Sequence, residues 1–164
     1  MKTRDITTIG ILTAISVVIS IVESYFTFIG SIVPGLKLGL ANIVVLFALY
    51  KYNFRMAISI SMVRVFIVAL IRTGFGINFL FSIVGALFSI IVMSLIKKTR
   101  LSIVGVSILG SIFHSVGQVL VGMLMLSNSN VIYYLSYLLL FSIPTGIFIG
   151  LVSKKLLKYT ENII

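Results

Sequence analysis

The chain has 164 residues, is 60% hydrophobic and only 10% charged, carries a net charge of +10 and contains no cysteine. So much apolar sequence in a chain this short excludes a soluble domain and points to an integral membrane protein. The missing cysteines exclude a disulfide framework and thiol chemistry, and the basic residues punctuate apolar runs instead of forming a stripe on a soluble face, which excludes a nucleic-acid partner.

A helix needs about 20 apolar residues to cross the hydrocarbon of a bilayer. Six candidate spans follow in order, at residues 6–28, 36–50, 54–73, 78–96, 101–126 and 131–157. The second is short. The first runs about 23 residues, longer than the apolar core of a signal peptide, and no small-residue cleavage site ends it, which predicts a retained helix. Connections are short, so sequential helices are expected to be antiparallel neighbours within one domain, 1–164. The predicted fold class is an all-α integral membrane protein of six transmembrane helices.

The positive-inside rule orients it. With the N-terminus in the cytoplasm, Lys2, Arg4, Lys51, Arg55, Lys97, Lys98, Arg100, Lys154, Lys155 and Lys158 all fall at cytoplasmic ends. The opposite side holds the uncharged segments Ser127-Asn128-Ser129-Asn130 and Thr73-Gly74-Phe75-Gly76. The expected topology is N-in and C-in.

Lys37, Arg64, Arg72 and Glu23 break this pattern. A charge near mid-bilayer costs about 2.5–3.5 kcal/mol on insertion scales, so such residues face a bundle interior or a wet cavity. Counting along each helix puts Arg64 near the middle of the third, with Arg72 two turns outward and roughly on the same face. Glu23 falls in the outer half of the first helix and Lys37 at the outer entry of the second. In the fifth, His114 is near the middle and Gln118 one turn outward. Polar groups thus converge on the centre and outer half, the pattern of a pocket open to the outside over an apolar cytoplasmic floor. Each also has a plainer reading. Arg72 and Lys37 snorkel, Glu23 is a counter-ion to Arg64 or Arg72, and His114 hydrogen-bonds a neighbouring helix. Arg64 is too deep to snorkel easily.

Small residues mark close helix contacts. Ser82, Gly85 and Ser89 line one stripe of the fourth helix. Ser107, Gly110, Ser111, His114, Gly117, Gln118 and Gly122 make a small and polar face on the fifth, and Gly146 and Gly150 form a GxxxG on the sixth. Gly10 and Ala14, four apart at the cytoplasmic end of the first, lie where a partner could dock. No catalytic constellation is present. There is no acidic DDxxD-type cluster to hold the magnesium of a prenyl diphosphate, no phosphate-binding loop and no HExxH. A lone histidine is a poor metal site, so neither a metal nor a cofactor is expected.

The run Pro34-Gly35-Leu36-Lys37-Leu38-Gly39-Leu40-Ala41-Asn42-Ile43-Val44, followed by Leu46 to Tyr50, resembles the signature of the Gx transporter family, often labelled heptaprenyl diphosphate synthase component I. Arg64, the stretch Phe79 to Ser89 and the stretch Gly105 to Leu120 agree with it in order along the chain. The family is grouped with the substrate-binding S-components of energy-coupling factor importers. The resemblance implies an S-component-like bundle in the bacterial cytoplasmic membrane. It implies a small-molecule ligand captured from outside, and a transmembrane coupling protein and two ATPase subunits as partners. Gly10 and Ala14 match the small-residue docking motif of the first helix, glycine standing for its first alanine. The net positive charge of Lys37, Arg64 and Arg72 over Glu23 favours an anionic ligand. His114, Gln118 and Asn42 would supply its hydrogen bonds, and Phe75, Phe79 and Phe81 would pack on its body. The Pro34-Gly35 break reads as a cap over the cavity. Two other functions are expected to differ in partners and activity: a membrane subunit that anchors or feeds a soluble prenyl diphosphate synthase, and an enzyme acting on a polyprenyl chain.

Overall fold

The computed structural model describes residues 3–26, 39–126 and 133–161. They form helices joined by short connections, with no strand among the described residues. The elements are α1 (Thr3–Phe26), α2 (Asn42–Lys51), α3 (Phe54–Val68) continued by a π-helical turn (Ala69–Thr73), α4 (Ile77–Ile96), α5 (Ile103–Leu126) and α6 (Tyr133–Glu161). Five are long and apolar enough to cross a membrane, within Asp5–Glu23, Phe54–Arg72, Ile77–Ile96, Ile103–Met125 and Ser136–Thr160. Large apolar side chains stay exposed along them, among them Leu70, Leu95, Leu124 and Leu140. Water would not tolerate so much uncovered apolar surface. The chain is a multi-pass membrane protein.

The second helix starts later than expected. It runs from Asn42 to Lys51, not from residue 36, and its 10 residues rise only about 15 Å against a hydrocarbon core about 30 Å thick. Gly39 explains the late start. Its φ is +72°, a left-handed conformation that costs any residue with a Cβ. The chain then turns tightly, the Asn42 amide donating to the Gly39 carbonyl at 2.8 Å and the Ile43 amide to that of Leu40 at 3.0 Å. Pro34, Gly35 and Lys37 lie outside the described residues, and so does the expected cap.

This half-length helix sits at the centre of the bundle. Val44, Val45, Leu46, Ala48 and Leu49 are buried and form the core with Ala57 and Ile60 of α3, Ile90 and Met93 of α4, Val106 of α5 and Ile149 of α6. Side chains from other helices hold its backbone. The Ser16 hydroxyl of α1 donates to the Ala41 carbonyl at 3.3 Å, and that of Ser153 in α6 to Ile43 at 3.3 Å. The orphan carbonyls at its far end find lysines. Lys97 Nζ donates to the Leu49 carbonyl at 2.7 Å and lies over the Tyr50 ring, 4.9 Å from its centre. Lys51 Nζ donates to the Thr160 carbonyl at 3.2 Å. These two lysines bring the C-terminal ends of α2, α4 and α6 together at one basic end of the bundle. Past a two-residue turn, Asn53 caps α3, its side chain accepting from the Met56 amide at 2.9 Å, and this reverses the chain.

The longest helix contacts join α4 to α5 and α5 to α6. Both are made at glycine. A Cβ on Gly117 would come within 3.0 Å of the Gly85 Cα, and one on Gly110 within 2.6 Å of Met93. A Cβ on Gly146 would meet the Ile108 Cα at 2.7 Å, and one on Gly150 the Val104 Cα at 2.7 Å. The GxxxG of α6 is therefore an internal seam against α5. In lipid, where apolar burial gives no drive to associate, such backbone approach supplies the dispersion contact that holds helices together. A paired hydroxyl contact reinforces the seam, Ser115 and Ser142 lying 2.6 Å apart.

Gly150→Val forces a side chain into the α5 backbone and is expected to lower stability by about 1–3 kcal/mol or more, read as a lower melting temperature in detergent. Gly10→Val, where nothing lies within 4 Å of the new Cβ, should leave the melt unchanged.

Candidate functional site at the start of the half-length helix

Three helices bring the polar residues together. Glu23, near the end of α1, is 5% exposed, Asn42, the first residue of α2, 8%, and Arg64, within α3, 6%. Arg64 Nη2 donates to Asn42 Oδ1 at 3.2 Å. The Glu23 carboxylate accepts a short hydrogen bond from the Gly39 amide and interacts electrostatically with Arg64. One carboxylate thus faces a guanidinium on one side and a main-chain N–H on the other.

Depth makes this arrangement unusual. Asn42 is nine residues above Lys51 and Arg64 ten above Phe54, so both stand about 14–15 Å above the basic end of the bundle. That is near the middle of a hydrocarbon core about 30 Å thick. A bare charge there is expensive, and a pair is tolerated only when each member keeps its hydrogen bonds. The N-terminus of α2 contributes further, since the positive end of a helix dipole favours a nearby anion. An interrupted helix starting at mid-depth with its amide end toward a carboxylate is an arrangement that membrane proteins use for anionic groups.

A second polar group lies among α4, α5 and α6. Ser107, Ser111 and Gln118 fall within about 40° of one another around α5, at about 100° per residue. Their stripe lies between the face that Gly110 and Gly117 turn to α4 and the face that Ser115 turns to α6. Gln118 is 5% exposed, and its Nε2 has no hydrogen-bond acceptor among the described residues; the Ser107 hydroxyl likewise has no partner among them. His114 lies against α4: a Cβ on Gly85 would come within 2.9 Å of its Cε1. Gly85 is the space His114 occupies.

The remaining expected residues are placed as follows. Phe79 is half-buried and belongs to an aromatic trio with Phe66 and Phe75, the ring centres 5.1–6.1 Å apart. Arg72 is exposed, which corrects the expectation that it shares the face of Arg64. Eight residues at about 100° each already turn Arg72 about 80° from Arg64 around the helix; it lies in the π-helical turn Ala69–Thr73, closed by the Gly74 amide on the Ala69 carbonyl at 2.8 Å. Lys37 lies outside the described residues. Gly10 and Ala14 are exposed on α1 beside Ile6, Ile11, Ile15 and Val18, away from both polar groups. Among the described residues no three His, Cys, Asp or Glu side chains gather to hold a metal ion. Two participants escaped the sequence reading: Gly39, whose amide holds Glu23, and Ser16, which holds the Ala41 carbonyl. The glycine inside LGLAN was the available signal for the first; nothing marked Ser16.

Removing one member of the buried pair should cost far more than its net worth. Glu23→Leu or Arg64→Met alone is expected to lower stability by about 3–5 kcal/mol, because the other charge is left unbalanced. The double variant Glu23→Leu/Arg64→Met should lose less than the sum, a coupling that a double-mutant cycle of detergent melts reads directly. Gly39→Ala should cost about 1–2 kcal/mol from its backbone conformation alone.

No curated protein and no solved structure is detectably similar to the chain. The model of one family matches residues 12–156, a stretch that begins within α1, ends within α6 and contains Glu23, Asn42, Arg64 and Gln118. By that match, the chain belongs to the heptaprenyl diphosphate synthase component I family.

Proposed function

We propose that the protein is the substrate-binding membrane subunit of an energy-coupling factor type importer. In this reading it captures a small anionic micronutrient, or an isoprenoid- or quinone-related precursor, from outside the bacterial cytoplasmic membrane. It is a binding and transport subunit and not an enzyme. Its N- and C-termini lie in the cytoplasm, which puts the basic end of the bundle inside and the aromatic trio Phe66–Phe75–Phe79 near the outer entry.

The observation that carries this reading is the buried Glu23–Arg64–Asn42 group at the start of a helix only half the membrane deep. A bundle that needed only to be stable could fill those positions with apolar side chains at equal or lower cost. Gln118 adds a buried donor with no acceptor among the described residues, suited to a ligand carbonyl or hydroxyl.

The exposed strip of α1 around Gly10 and Ala14 supports the partner reading. Small residues on an uncovered helix face allow another helix to approach closely. The expected partners are a transmembrane coupling protein carrying two ATPase subunits. The family description favours a second reading, in which the protein is a membrane subunit associated with a soluble prenyl diphosphate synthase.

Native mass spectrometry of protein extracted gently from its own membrane separates the two. A bound small anion and co-purifying ATPases are expected; a co-purifying prenyl diphosphate synthase without ATPases would favour the second. Gly10→Leu/Ala14→Leu should abolish ATPase co-purification while the melting temperature holds. Gln118→Leu should weaken ligand retention about tenfold or more, the loss of one buried hydrogen bond to a polar group, without unfolding the bundle.

A further inference from the structure

We propose that Glu23 is the built-in occupant of a carboxylate site, and that a carboxylate-bearing ligand binds between the Gly39 amide and the Arg64 guanidinium by replacing it. The inference rests on the capture reading above and names the chemical class of the ligand's anchoring group.

The donors come from three places in the chain. Gly39 contributes a main-chain N–H to the carboxylate. Arg64 contributes a guanidinium that is held in position by Asn42 Oδ1. The amide nitrogen of Asn42 faces the same turn, 3.3 Å from where a Cβ on Gly39 would stand. Together with the N-terminus of α2, these groups form a receptor for a planar anion. In the structure that anion is supplied by α1.

The buried guanidinium explains why an occupant is needed before the ligand arrives. Arg64 at mid-depth requires a negative partner in every state of the protein. A site left empty would leave it bare. Exchanging one carboxylate for another keeps the charge beside Arg64 constant, and the displaced Glu23 carboxylate takes up one proton, so the bundle gains no net charge.

The role assigned to Glu23 predicts a sign opposite to that of a contact residue. A tethered carboxylate competes with the ligand at an effective concentration of about a millimolar or more. Removing its charge should therefore tighten binding of a carboxylate, whereas removing Arg64 should abolish it. A counter-ion with no exchange role would also be replaced by acetate once it is deleted, but it predicts no acetate response in the wild type, a result that would overturn the exchange.

The test uses the full-length protein in detergent, titrated at constant ionic strength with sodium acetate, or with acetamide as the neutral isostere, and followed by melting temperature. Glu23→Ala should be stabilised by acetate and not by acetamide, with half-saturation at least tenfold below that of the wild type. Glu23→Gln, which keeps the shape and the acceptor for Gly39, should also respond at lower acetate than the wild type, and it decides the matter if Glu23→Ala does not fold. Glu23→Gln/Arg64→Gln should not respond. Acetate responses in the Glu23 variants no stronger than in the wild type, equal responses to acetamide, or a response that survives loss of Arg64 would each overturn the proposal. Failure of the capture reading would appear elsewhere, as co-purification with a prenyl diphosphate synthase in place of ATPases. A flat acetate response beside normal ATPase co-purification would remove the exchange role of Glu23 alone.

Discussion

A guanidinium near the middle of a bilayer constrains almost everything around it. Arg64 cannot reach water from its depth in α3, so its charge has to be met inside the bundle. Glu23 meets it from α1 and Asn42 from α2. For both to do so, α2 has to begin at Arg64's own level instead of at the membrane surface. Gly39 makes that start geometrically possible through its positive φ, and its amide completes the shell of the carboxylate. The short helix, the turn before it and the placement of α1 and α3 are thus different aspects of one electrostatic requirement.

The other half of the bundle is held by a different force. Along α4, α5 and α6 the contacts are made where glycines let backbones approach, at Gly85 with Gly117, at Gly146 with Ile108 and at Gly150 with Val104. Apolar burial is of little help between helices already surrounded by lipid, so close dispersion contact and a hydroxyl pair such as Ser115–Ser142 take its place. The result is a tightly packed three-helix unit beside a polar one. The buried α2 spans the two, packed against α3 and α6 alike. A difference in role follows physically: the glycine seam resists change, while the Glu23–Arg64 group has interchangeable partners of equal charge.

Local patterns made the helices easy to read, and the misses have identifiable causes. Long apolar runs located α1 and α3 to α6 within a few residues, because a spanning helix needs little beyond continuous apolar sequence. The stripe of small residues on α5 and the GxxxG on α6 likewise announced close contacts. The start of α2 was placed too early because Leu36 to Ala41 is apolar enough to continue a helix, and only the backbone conformation of Gly39 says otherwise. Arg72 was placed on the face of Arg64 although eight residues at about 100° each turn it about 80° away, and it is exposed where Arg64 is buried. Ser16 and Ser153 look like any small residue in a membrane helix, yet each holds a carbonyl of the α2 segment.

What the sequence determined by itself was the class of protein, the order of its helices and the fact that Glu23, Asn42, Arg64 and Gln118 needed an explanation. Each of these follows from a local property, since apolar length sets spanning and a polar group in such a run carries its own cost. Tertiary structure alone decided the partners. Whether Glu23 balanced Arg64 or Arg72, whether Gly146 and Gly150 faced a neighbour within the chain or outside it, and whether Gly10 and Ala14 were covered all depend on how helices rotate and tilt against one another. Those angles are fixed by contacts between residues far apart in the chain, and no periodicity along a single helix contains them.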